Sequence, residues 1–118
     1  MIGALALLSD DPPEPALDAG CGDRFRYWRG ASGRRYLFSL VPAEALSDFR
    51  SVVVMVAERR ADGRLIGRVL IDVDEGGCRF APRFTPGEAP YVHFLAQSRE
   101  ARRRLIEDLA AVPVRLAA

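Results

Sequence analysis

The chain has no lysine and no asparagine, and its 17 basic residues are all arginine. It has one histidine, His93, one threonine, Thr85, and two well-separated cysteines, Cys21 and Cys78. Without lysine there is no Schiff base and no phosphate-loop lysine. One histidine and two distant cysteines do not make an ordinary structural zinc site. A histidine-assisted nucleophile would have to use His93 alone. Two cysteines are not a disulfide framework; a bridge stays open beside free thiols in a reducing compartment. Long apolar runs are also lacking. The opening stretch Met1 to Leu8 has no basic flank and is interrupted by Asp10 and Asp11, so it suits neither a membrane span nor a signal peptide. A cytoplasmic protein without membrane attachment is expected. Arginine in place of lysine, with abundant alanine, suggests a high-GC bacterial genome.

What remains is a chain of 118 residues, 49% hydrophobic, enough for one domain with a real core. Formal net charge is +1, which gives no global pull toward nucleic acid or membrane. The charge is unevenly spread. Residues 1–23 hold Asp10, Asp11, Glu14, Asp18 and Asp23 without a basic partner, so the rest of the chain carries +6. With Pro12, Pro13 and Pro15, this reads as an acidic arm over 1–23, with 1–18 dispensable for folding, ahead of a single domain over 24–118.

Residues 24–29 and 35–41 alternate around Gly30-Ala31-Ser32-Gly33, the pattern of a hairpin that Pro42 ends. Leu46 and Phe49 point inward from a helical turn or loop over 43–50. The unbroken run Val52 to Ala57 suits a central strand buried on both faces. Asp62-Gly63 turns it back into 64–72, where Gly67 marks a bulge or a close packing contact. A short strand is expected at 78–81, an irregular loop over 82–90 and a further strand over 91–96. Ser98 caps a helix over 99–112, with Leu105, Ile106, Leu109 and Val112 as its apolar stripe, Glu100 and Arg104 at i,i+4 spacing, and Pro113 as its stop. The sum is an α+β fold: an antiparallel sheet of four to six strands with one C-terminal helix packed on a face.

Two constellations stand out as candidate binding surfaces. The first hairpin carries Arg24, Arg26, Trp28 and Arg35 among further arginines and tyrosines. Arginine forks bind phosphates and aromatics stack on bases, which suits single-stranded nucleic acid. The ordinary alternative is a solvated face whose arginine stems cover the aromatics, with Trp28 in the core. The last helix opens with Arg99, Arg102, Arg103 and Arg104, cations that oppose the helix dipole. They dock phosphate or an acidic partner, or receive the acidic arm, or lie solvated beside Glu100, Glu107 and Asp108. Exchange of Arg99, Arg102 and Arg103 for glutamine is expected to preserve stability and weaken partner binding. Asp72, Asp74 and Glu75 lack the ligand count of a calcium loop and read as a polar strand exit. His93 lies in an apolar strand without a nucleophile–base–orienter set around it. No catalytic residue, metal ligand or cofactor is assigned.

The segments RFRYWRGASGRRYLFSL, VVVMVAERRADGRLIGRVLID and YVHFLAQSREARRRLIEDL together resemble small alphaproteobacterial proteins, over most of residues 24–111. No activity comes with that resemblance. More distantly, the second hairpin resembles the GIY-YIG nuclease scaffold. Val54-Met55-Val56 and Leu65-Ile66-Gly67 stand at its two motifs, and Arg68 and Glu107 at its arginine and glutamate. Both motif tyrosines and the closing asparagine are missing, so the resemblance implies scaffold without nuclease activity.

A chemistry-poor inventory favours binding over catalysis. The expected function is a small non-enzymatic binding or regulatory domain acting through protein–protein contacts, either with another protein or with copies of itself. The alternative is a nucleic-acid-binding module built on the first hairpin, and an enzyme comes third.

Overall fold

The computed structural model describes residues 24–78 and 83–112, and the backbone of residues 2–8. Its strands are β1 (Ile2–Leu8), β2 (Phe25–Arg29), β3 (Arg35–Leu40), β4 (Val52–Arg59), β5 (Leu65–Val73) and β6 (Glu88–His93). A short 3₁₀ helix, Ala43–Asp48, joins β3 to β4, and the helix α1, Arg99–Ala110, follows β6. The strands form one sheet in the order β1-β5-β4-β6-β3-β2, with every neighbour antiparallel. The α+β expectation therefore holds, with six strands among the described residues.

The β4–β5 hairpin lies at the centre, as the apolar run demanded. Val52 through Ala57 are all buried, because the sheet is covered on both faces. On the face that α1 covers, Val53, Met55, Leu70, Tyr91, Trp28 and Phe38 pack with Leu105, Ile106 and Leu109. On the other face, Val52, Val54, Val56, Ile71 and Val92 pack with Leu46 of the 3₁₀ helix, with Phe49 just after it and with Phe84. Gly67 is both things its position suggested. The β4–β5 register shifts there, pairing Val56 with Val69 but Ala57 with Gly67, which leaves Arg68 as the extra residue. A Cβ at Gly67 would also run into the Met55 sulfur and the Trp28 indole.

Two expectations change. Residues 2–8 are not part of an arm: they pair with β5 from Ile2↔Ile71 to Leu8↔Ile66, so the sheet takes in a strand that the acidic stretch behind it disguised. Residues 9–23 lie outside the described residues. The last strand begins at Glu88 rather than Tyr91 and ends at His93 rather than Ala96. Pro90 is tolerated because it sits where β3 has run out. There the Pro90 carbonyl still accepts from Val41 N–H at 3.2 Å, so the missing proline N–H breaks no ladder. The strand expected at 78–81 falls almost wholly outside the described residues, and Cys78 itself is not in a strand.

Helix α1 starts where Ser98 predicts. The serine side chain accepts from Ala101 N–H at 3.0 Å, and the helix closes at Ala110, two residues before the expected end. Among the described residues no helix is long and apolar enough to cross a membrane.

A strand–helix cleft as candidate functional site

The arginines of α1 separate by periodicity. Arg102 lies three, four and seven residues before Leu105, Ile106 and Leu109, so it belongs to the buried stripe. It is fully buried. Its Nε donates to the Asp72 carboxylate at 2.7 Å and its Nη1 to the Gln97 carbonyl at 2.5 Å, while Nη2 has no hydrogen-bond partner among the described residues. Arg102 is thus no part of a binding surface. The acidic end of β5 supplies the counter-charge that lets a guanidinium enter the core. Arg99 and Arg103 remain at the surface and border a cleft of about 260 Å³ with Asp72, Asp74, Ile106 and Glu107. Their charge meets acidic groups of the same domain, so they do not form an open cationic patch. Arg104 pairs with Glu100 at 2.6 Å, as its spacing predicts. Among the described residues no three His, Cys, Asp or Glu side chains are grouped to hold a metal ion.

The first hairpin divides too. Trp28 is fully buried, edge-on to Phe38 at 5.3 Å and to Tyr91 at 5.4 Å between ring centres. It is a core residue and no stacking platform, because alternation puts it on the helix-covered face opposite Tyr36. Arg26 is half-buried, and Arg24 is exposed. Arg35 lies on the outer face with its guanidinium 4.2 Å from the centre of the Tyr27 ring.

Arg35 is the one first-hairpin candidate that borders the larger cleft, of about 510 Å³. This cleft exists because β3 and β6 barely pair. They share Ser39↔Val92 and Leu40↔Tyr91, and then β6 ends at His93 while β3 continues back to Arg35. The gap is walled by Tyr36 and Leu37 on the strand side and by Ala101 and Leu105 on α1, with His93 inside. Arg34, Arg35 and Arg104 stand on its rim. Sequence reasoning singled out Arg35 here and placed Arg104 in an ion pair. It left His93 as a half-buried strand residue, and had no means of seeing that helix and hairpin meet.

A second polar network holds the hairpin to the helix. Asp108 accepts from Ser32 N–H at 2.8 Å, Ser32 Oγ at 2.6 Å and Tyr36 Oη at 2.7 Å, and its own carbonyl accepts from Ala31 N–H at 3.0 Å. Burial pushes the Tyr36 phenol up to about 12, reinforced by the bond to Asp108. Burial also pushes the Asp108 carboxyl upward, but the bonds from Ser32 and Tyr36 and the charge of Arg34 outweigh it and hold the group low. Tyr36 therefore stays a neutral donor at physiological pH, and serves as a clamp rather than a base.

His93 plugs the point where the ladder stops. Its Nδ1 lies 2.8 Å from the Leu37 carbonyl, which can only accept, so Nδ1 carries the proton and Nε2 is left as an acceptor. Burial pushes the imidazole below its ordinary value, and the Leu37 carbonyl opposes this only in part. The unfolded chain takes up a proton near pH 6.5, whereas the folded one does so only at lower pH. The stability that His93 contributes is therefore full above about pH 6.5 and is lost as pH falls through the folded value. Melting temperature is expected to drop between pH 7 and pH 5, and His93→Gln, which can still donate to Leu37, to flatten that drop. An equal slope in both proteins would show that His93 is not the titrating group.

Among the described residues no serine, threonine or cysteine is bonded to His93, and the rings beside it are those of Phe38 and Tyr36, with centres 5.4 Å and 6.0 Å away. The cleft offers surface, charge and backbone, not an activated nucleophile. Comparison of the chain with protein-family models, with curated proteins and with solved structures finds no match.

Proposed function

We propose that this protein is a small binding domain that acts through protein–protein contacts in the cytoplasm, and that the cleft between β3 and α1 receives an acidic segment of its partner. The observation that carries this reading is the composition of the cleft. Apolar Leu37 on the strand side and Ala101 and Leu105 on the helix side are bordered by three arginines, Arg34, Arg35 and Arg104, the last paired with Glu100, in a chain whose formal net charge is +1. Cations gathered at one opening select acidic partners and speed their encounter. The nucleic-acid reading is weakened by the burial of Trp28, its main stacking residue, and by the seating of Arg35 on Tyr27.

The test is charge reversal at the rim. Arg35→Glu with Arg104→Glu is expected to melt within about 1 kcal/mol of the parent, since both are exposed and surface pairs are worth little. The same variant should lose affinity for an eight-residue peptide alternating valine and glutamate, followed by fluorescence anisotropy at two salt concentrations. Tighter binding of a single-stranded oligonucleotide than of the peptide would replace this reading with the nucleic-acid one.

A further inference from the structure

We infer that the cleft takes its partner as an added β-strand, hydrogen-bonded to Arg35 and Leu37 of β3 in the place that β6 vacates after His93. This rests on the reading of the cleft as a peptide site and specifies how the peptide is held.

Strand parity decides which backbone groups of β3 face the cleft. Leu40 N–H donates to the Arg24 carbonyl at 2.7 Å and Gly30 N–H to the Arg34 carbonyl at 2.9 Å. These two bonds fix the antiparallel register of the first hairpin. The backbone groups of residues 34, 36, 38 and 40 therefore point to β2, and those of 35, 37, 39 and 41 point to β6. On that second side Val41 N–H reaches Pro90 and Ser39 pairs with Val92. Beyond Ser39 the ladder stops. The Leu37 carbonyl is met by the His93 side chain instead of a strand. No described backbone group takes the N–H of Leu37 or either polar group of Arg35.

Such a row of unmet backbone groups is a template for another chain. Here it is not on an outer edge but inside a cleft, with a helix as the opposite wall. An extended segment lying on a strand and covered by a helix gains main-chain bonds from one side and apolar contact from the other. The Leu37 carbonyl has a second lone pair, so an incoming N–H can bond it without displacing His93. Successive side chains of the added strand point alternately to Tyr36, Ala101 and Leu105, and to the outer face where Arg35 lies. Apolar residues fit the first side. Carboxylates fit the second, where Arg35 lies, while Arg34 and Arg104 border the cleft from the helix side. The partner class is thus an extended peptide alternating apolar and acidic residues.

The test uses the full-length protein and the valine–glutamate octapeptide. In amide exchange followed by NMR, saturation with peptide should slow exchange at Leu37 and Arg35 by at least tenfold. N-methylation of single peptide positions should weaken binding by more than tenfold at alternate residues and by less than threefold between them. Leu37→Pro removes the N–H that faces the cleft and none that faces β2. It should fold and lose binding by a similar factor, and the N-methyl series decides the matter if it does not fold. Peptide that binds with uniform tolerance to N-methylation, or without protecting Leu37, overturns strand addition and leaves the cleft as a peptide site. Absence of saturable binding overturns both.

Discussion

Replacing Arg102 with alanine is expected to destabilise the domain by about 3 kcal/mol, at the lower end of the cost of breaking a buried ion pair. The guanidinium is fully buried, while the Asp72 side chain keeps 22% of its surface, so water softens the loss of its partner. The variant also strands the Gln97 carbonyl that Nη1 now satisfies and leaves a void beside Leu105 and Ile106. In a domain of this size the shift in melting temperature should be about 10 °C. Arg103→Ala, one residue away on the exposed face, should change stability by less than about 0.5 kcal/mol. Exchange of Arg99, Arg102 and Arg103 together for glutamine is accordingly expected to melt the protein through Arg102, not to preserve it as charge counting along the helix suggests. Equal melting temperatures for R102A and R103A would show that the buried pair is not formed.

Val54→Asp is expected to abolish folding. Val54 sits in the middle of β4 with both neighbouring strands in place, paired with Ile71 on one side and Val92 on the other. Its side chain is buried in the apolar cluster of Val52, Val56, Leu46 and Val92. A charge placed there costs several kcal/mol even after protonation, which is comparable to the roughly 5–15 kcal/mol that holds a whole domain. Near-ultraviolet circular dichroism of the purified variant should show no tertiary signal. Glu58→Ala, at the exposed end of the same strand, removes a 3.0 Å pair with Arg68 and should leave the spectrum unchanged. A native spectrum for V54D would mean that β4 is not covered on the 3₁₀-helix side.

Local signals in the chain were reliable where one residue type had one physical use. Gly63 at positive φ, Ser98 as a helix cap and the β-branched run of β4 each act through their own backbone or burial, and each stands where it was read. Boundaries were less legible. β1 was hidden because its apolar residues precede an acidic, proline-containing stretch, and composition averaged over both segments describes neither. β6 starts inside a proline-rich segment because its cost depends on whether β3 is alongside, a tertiary fact. Arg102 was within reach: its place in the 3–4 stripe is visible in the sequence, and only its charge argued for the surface.

What the sequence by itself determined is the α+β class, the central hairpin, the helix and its cap, and the scarcity of catalytic groups. These follow from residue inventory and from periods of two and of three to four, which are local properties. What only the tertiary structure decided is the site. Arg35, Tyr36, His93, Arg104 and Leu105 come from three distant segments, and no pattern along the chain links them. They meet because β6 stops while β3 continues, and because α1 crosses the sheet to bond its Asp108 to the hairpin loop. A cleft is a gap between elements, so it depends on how far strands run beside one another rather than on what any one of them contains.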